Sequence, residues 1–192
     1  STRDLRNNIY QKLAWLIIVA SIPAALIGKL LEAKAETSFR SPLLIAVTMS
    51  VFGIVLFVVD RVGKRLKNLD KISKLDAFFI GLSQALALLP GVSRSGSTIT
   101  TGLALGFKRA DAARFSFLMS IPIIFGAGLL KVKDFGAGVA PIELIVGFAT
   151  SAIVGFLSIK YLLQYLAKHD YKIFVWYRLA FAAVVLLIYL VR

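Results

Sequence analysis

The chain has 192 residues, of which 58% are hydrophobic and only 17% charged, with a mean hydropathy of +0.82; this excludes an ordinary soluble domain and points to one integral-membrane domain over residues 1–192. It contains no cysteine, which excludes disulfides and thiolate chemistry. The net charge of +13 sits in short connectors between apolar runs, the pattern of headgroup-facing loops, and excludes nucleic acid as a partner because no basic stripe interleaves with aromatics.

Residues 1–11 are polar, and the first apolar run, 12–31, matches the roughly 20 residues needed to cross a bilayer. Ser41-Pro42 opens a second span over 42–59, with proline in its first turn. Residues 60–76 form the most charged connector, where Lys and Arg outnumber Asp; the charge rule places it in the cytoplasm, and Asp76 is placed to cap the helix that follows.

The apolar run 77–89 is too short to cross untilted. A polar loop follows it, then another short helix over about 98–107, closed by Lys108-Arg109. Two short apolar helices around a polar turn predict a re-entrant hairpin over about 77–107. Both its ends lie on one side, which puts Lys108, Arg109 and Arg114 beside the 60–76 connector. Spans over 114–130, 142–163 and 173–191 complete an all-α polytopic bundle of five crossings and one hairpin, with the N-terminus cytoplasmic and the C-terminus outside. Gly102 with Gly106, Ser151 with Gly155, and Gly126 with Gly128 have the spacing of close helix packing within the bundle, a dimer seam being the alternative.

The loop from Leu89 to Thr98 carries the chemistry. Gly91 and Gly96 open backbone conformations closed to other residues. Ser93, Ser95, Ser97 and Thr98 supply hydroxyls, and Arg94 supplies a planar fork of donors suited to phosphate. A helix beginning near Ser97 adds free N–H groups and the positive end of its dipole. Irregular backbone and a cation at membrane depth persist only where they are covered or used, so the loop reads as an anion pocket. The alternative is a polar hinge whose Arg94 snorkels to the headgroups. It lacks the Walker pattern and is not a P-loop.

Other polar residues carry weaker signals. Gln84 either faces the pocket or makes an interhelical hydrogen bond. Ser116 and Ser120 either line the same cavity or bond back to helix carbonyls. His169 reads as solvated surface, Glu143 as dipole compensation in a first turn, and Asp111 as a pair or cap among basic residues. No cluster of carboxylates or histidines stands ready to hold a metal or act as a base beside Arg94.

The segment from Gln84 to Thr98, with Leu-Pro-Gly-Val-Ser-Arg-Ser-Gly-Ser-Thr at its end, and the segment Arg114-Phe-Ser-Phe-Leu-Met-Ser-Ile-Pro122 closely resemble the undecaprenyl-diphosphate phosphatases, the bacitracin-resistance family. Ile17 to Gly28 resembles that family too. The resemblance implies removal of the terminal phosphate of undecaprenyl diphosphate, which recycles the lipid carrier for cell-wall peptidoglycan synthesis at the bacterial inner membrane. It implies an inverted-repeat fold with two hairpins meeting near mid-membrane and a pocket open to the outer face. By motif, Arg94 would grip the diphosphate, with Ser93 and Thr98 as its catalytic neighbours and Ser95, Gly91, Gly96, Ser97 and Gln84 in substrate binding.

The resemblance also implies a divalent cation, Mg or Ca, held by glutamates of an earlier motif ending in Pro-x-Ser-Ser-x-Gly-His. Nothing like that motif occurs here, and residue 1 is Ser. The expectation is therefore a chain lacking the N-terminal part of the family fold, with no metal ligands of its own and little activity alone. Two other functions fit the residues: a transporter or flippase for an anionic lipid or other phosphate-bearing substrate, and a non-catalytic membrane subunit.

Overall fold

A computed structural model of the chain describes residues 2–37, 41–131 and 140–191. Among these residues seven α-helices succeed one another: α1 (Thr2–Thr37), α2 (Pro42–Val62), α3 (Lys74–Gln84), α4 (Arg94–Ala104), α5 (Arg109–Lys131), α6 (Pro141–Leu166) and α7 (Lys172–Val191). Single 3-10 turns lie at Leu69–Lys71 and Ala85–Leu88. Among the described residues, five stretches are long and apolar enough to cross a membrane: Ile9–Leu31, Pro42–Val62, Arg109–Leu130, Pro141–Leu166 and Lys172–Val191. The protein is an all-α polytopic membrane protein.

The helices overrun the apolar windows at most ends. Hydropathy delimits the stretch that tolerates lipid, whereas Lys, Arg and Glu are good helix formers that continue the hydrogen-bonded ladder beyond it. Thus α5 starts at Arg109, five residues before the expected 114, with Asp111 in its first turn. Likewise α2 continues through Asp60, which is a buried helix residue and not part of the connector.

The hairpin forms as expected, with shifted boundaries. Ser73, not Asp76, is the N-cap of α3. Its Oγ accepts from the Asp76 N–H at 3.1 Å, while Asp76 Oδ2 accepts from the Ser73 N–H at 2.9 Å, a reciprocal capping box. Burial pushes the Asp76 carboxyl up, but bonds from the Ser73 backbone and hydroxyl and from Lys67 outweigh it and hold the group below its ordinary value. At 1.5 Å per residue, the eleven residues of α3 advance about 16 Å, roughly half of a hydrocarbon core. The chain then turns and comes back. The Lys67 N–H donates to Gly106 O at 2.8 Å and the Lys108 N–H to Lys67 O at 3.0 Å, so both feet of the hairpin stand together. Gly106, at φ +88°, allows the turn that brings them there.

α2 packs along α7, α1 along α3, and α4 between α2, α3 and α5. A Cβ at Gly81 would collide with the carbonyl of Ala20, and one at Gly102 would meet Ala112 Cβ at 3.0 Å; these glycines permit the crossings. At Gly106, Gly126, Gly128 and Gly155 a Cβ would meet nothing within 4 Å, so the packing expected there does not occur among the described residues. Around Gly155 the reason is that α6 contacts little besides α5, with none of its apolar window buried.

Asp60 fastens the end of the bundle at which the hairpin stands. It is 3% exposed. Arg109 grips it with Nε at 2.6 Å and Nη2 at 3.1 Å, and the Tyr171 N–H donates to it at 3.1 Å. One carboxylate thus ties α2, α5 and the start of α7 through a bidentate pair.

Candidate functional site

The loop between the two hairpin helices has its carbonyls answered by side chains of α2 and α7. Thr48 Oγ1 donates to Pro90 O at 2.5 Å. Arg178 Nη2 donates to Gly91 O at 2.6 Å and Val92 O at 3.1 Å, and its Nε to Met49 O at 3.3 Å. This satisfies the irregular backbone that lipid cannot. Gly91 has φ +88°, and a Cβ there would run into Thr48 and Ile45 O; only glycine lets the loop sit this close to α2.

Thr48 and Arg178 were not singled out in the sequence. Arg178 nevertheless carried a signal, as the one charged residue between Lys172 and Val191 of an apolar span, where an intramembrane cation marks a site by default.

The helix begins at Arg94, three residues before the expected start, because Ser93 caps it. Ser93 Oγ accepts from the Gly96 N–H at 3.2 Å, and the Ser97 N–H donates to Ser93 O at 3.0 Å. Ser93 holds φ +69°, a left-handed conformation that costs a non-glycine residue of order 1–3 kcal/mol and that clusters at functional sites. Arg94 and Ser95 therefore occupy the first turn of α4, where backbone N–H groups lack intrahelical acceptors and the dipole favours an anion.

Six of the eight proposed site residues divide into two groups. Gly91, Ser93, Ser95 and Gly96 line one cavity of about 450 Å³, together with Arg178 of α7; Ser93 and Ser95 present their hydroxyls 3.4 Å apart. Ser97 and Thr98 face inward instead. Ser97 Oγ donates to Arg94 O at 3.0 Å. Thr98, 1% exposed, bonds to Arg94 O at 2.9 Å and shares a 2.7 Å bond with Ser116 of α5. These hydroxyls brace the first turn of α4, since a helix hydroxyl three or four residues on reaches back to the carbonyl before it.

Arg94 itself lies outside the lining of that cavity. Its Nη1 is buried and, among the described residues, has no hydrogen-bond partner. Gln84, 5% exposed at the end of α3, likewise leaves both amide atoms unpartnered, so the interhelical bond weighed for it does not form among the described residues. Buried polar groups in native structures are nearly always paired, and an orphan calls for a ligand, water or ion.

Ser120 bonds back to Phe117 O at 2.6 Å. His169 is exposed and stacked on Tyr165 at 4.4 Å. Glu143 is exposed in the first turn of α6. Asp111 borders a small cavity with Asp70 and Arg114 at the hairpin's feet. Among the described residues no group of three or more His, Asp or Glu side chains comes together as a metal site.

The family model described as bacitracin resistance protein BacA matches residues 1–184. The undecaprenyl-diphosphatase of Moorella thermoacetica is 51% identical over 181 residues, which cover 94% of this chain and 69% of that protein. That of Pelotomaculum thermopropionicum is 51% identical over 168 residues, 88% of this chain and 64% of its own length. That of Desulforudis audaxviator is 47% identical over 181 residues, with 94% and 69% covered. The chain thus spans about two thirds of the length of these relatives.

Proposed function

The chain belongs to the bacitracin resistance protein BacA family, and on that premise we propose that it serves as a phosphatase hydrolysing undecaprenyl diphosphate to undecaprenyl phosphate and inorganic phosphate. Water adds to the terminal phosphorus, the bond to the bridging oxygen breaks, and the lipid leaves as its monophosphate. The product is the lipid carrier returned to peptidoglycan synthesis, and the membrane is the bacterial inner membrane.

One observation carries the reading to this site: a guanidinium with an unused, buried donor at the start of a membrane helix. In this reading Arg94 gives its fork to phosphate oxygens, a geometry that a point charge lacks. The first-turn N–H groups of α4 would add donors to the charge that grows on the transferred group, and the Ser93 and Ser95 hydroxyls offer others from the adjoining cavity. Thr98 and Ser97 act one step back, holding the carbonyl of Arg94 and with it the turn.

The divalent cation implied by the resemblance finds no ligand set among the described residues. Asp60 is committed to Arg109, and Asp76 to Ser73 and Lys67.

Phosphate release in detergent separates this reading from a transporter, because transport needs two compartments and hydrolysis needs one. The assay takes undecaprenyl diphosphate, with and without divalent cation. It is run on this chain and on a chimera completed with the unmatched third of the Moorella relative. Release by the completed protein is expected. Release by neither, with movement of the lipid across proteoliposomes, would replace the phosphatase with a transporter.

A further inference from the structure

A second cavity opens at the feet of the hairpin, at the other end of α3 from the polar loop. Its volume is about 260 Å³. Ile9, Tyr10 and Leu13 come from the first turns of the apolar stretch of α1, and Asp111 and Arg114 from the first turns of α5. The cavity therefore stands where hydrocarbon gives way to headgroups, the level that amphipathic rings such as Tyr10 favour. Asp70 completes it from the 3-10 turn before α3. Ile9 is 38% and Tyr10 59% exposed, which leaves the mouth open to the bilayer. The lining carries both signs of charge. Lys108, Arg114 and Asp70 are the charges that act on Asp111. Among the described residues no ion pair joins either carboxylate to Arg114 or Lys108.

We infer that this cavity seats the headgroup of phosphatidylethanolamine: its ammonium between Asp70 and Asp111, its phosphate on Arg114, and its glycerol end against Ile9 and Leu13. Two carboxylates near enough to act on each other repel, and a cation set between them turns that repulsion into attraction. The Arg114 guanidinium offers a planar fork to phosphate. Asp111 and Arg114 are three residues apart in α5, a spacing that puts Cβ atoms about 5–6 Å apart on a helix. Phosphoethanolamine carries the opposite charges in the matching order, with a two-carbon link between them. A headgroup of one sign answers only half of the lining. Phosphatidylglycerol leaves both carboxylates without a cation, and a simple amine leaves Arg114 without an anion. Phosphatidylcholine brings a trimethylammonium with no N–H to donate. The apolar residues beside the charges favour a lipid over a soluble amine. The bound lipid bridges α1, α5 and the hairpin's foot, and it is a resident of the fold, independent of the phosphatase reading.

The test is native mass spectrometry of the detergent-solubilised chain, titrated with an equimolar mixture of dioleoyl phosphatidylethanolamine, phosphatidylcholine and phosphatidylglycerol. Phosphatidylethanolamine should be retained at least fivefold over either of the others. It should also raise the thermal midpoint, as a ligand of the folded state does. Asp70→Asn combined with Asp111→Asn should abolish the preference, and Arg114→Gln should cut retention at least fivefold, with lipid-free midpoints near the parent's. Lys64→Gln, in the same connector but outside the cavity lining, should change nothing. Preference for phosphatidylglycerol, or equal retention of all three lipids, would overturn the seat. So would a preference that survives the aspartate pair, or displacement of the lipid by soluble phosphoethanolamine at the lipid's own concentration. The parent alone supplies a second reading that needs no variant to fold. Phosphatidylethanolamine carrying a photoreactive diazirine next to its headgroup should label residues 9–13 or 109–114, and labelling confined to α6 would overturn the seat.

Discussion

Replacing Arg178 with Ala separates what holds the loop from what holds the bundle. Arg178 donates to Gly91 O and Val92 O at 2.6 and 3.1 Å and, more weakly, to Met49 O at 3.3 Å. Hydrogen bonds to a charged group contribute about 1.5–3 kcal/mol each, so the two loop bonds amount to roughly 3–6 kcal/mol. Against that, removing an arginine from a helix centre relieves about 2.5–3.5 kcal/mol of insertion cost. The relief goes to α7, whereas the loss falls on the loop. Global stability should therefore change by only about 0–3 kcal/mol, while the loop opens locally. At about 1.4 kcal/mol per tenfold, amide exchange in residues 91–97 should accelerate at least a hundredfold, with the amides of α1 and α3 near their parent rates. Hydrogen–deuterium exchange in detergent reads both at once. Arg178→Lys should fall between, since one ammonium serves fewer carbonyls than a fork. A loop that stays protected while the whole bundle loosens would show that Arg178 only fills space.

Asp60→Asn removes the charge that binds Arg109 and Tyr171; breaking one side of a buried pair costs about 3–5 kcal/mol, so the thermal midpoint should drop by roughly 6–20 °C. The exposed pair of Asp170 with Lys172 is the control, and Asp170→Asn should leave the midpoint nearly unchanged. Ser93→Gly releases a left-handed residue from strain of order 1–3 kcal/mol and, as a cap, costs only a few tenths; its midpoint should match or exceed the parent's while diphosphate binding weakens. Acid should loosen the foot of α3. The Asp76 carboxyl lies below its ordinary 3.8 in the folded chain, so its stabilisation is complete above that value and is lost as pH falls through the lowered folded pKa. Ser73→Ala should flatten that part of a stability-against-pH curve.

The five long apolar helices, the two short helices between them and the polar loop were legible because each is written as hydropathy along one stretch of chain. What escaped was the pairing of distant residues. Asp60 reads as one charge among nine in a connector, and only the fold shows that Arg109 and Tyr171, 49 and 111 residues away, turn it into the bundle's fastening. Thr48 looks like any hydroxyl in an apolar helix, and its bond to Pro90 O depends on where α2 meets the loop. Thr98 lies in the motif and was read as a phosphate ligand, yet helix phase turns it toward Ser116. The start of α4 moved to Arg94 because Ser93, in a conformation unusual for its type, caps earlier than the hydroxyl pattern suggested. Arg178 was visible as a charge within an apolar span and was passed over beside the more conspicuous Arg94.

The central claim is that Arg94 holds the diphosphate. It is tested most directly by phosphate release from undecaprenyl diphosphate in detergent by the completed enzyme carrying Arg94→Ala or Arg94→Lys, each matched for thermal midpoint. Both should lose at least a hundredfold in kcat/KM, Lys included, because an ammonium lacks the two-pronged geometry. Turnover by either within a few-fold of the parent would place the phosphate elsewhere and contradict the account.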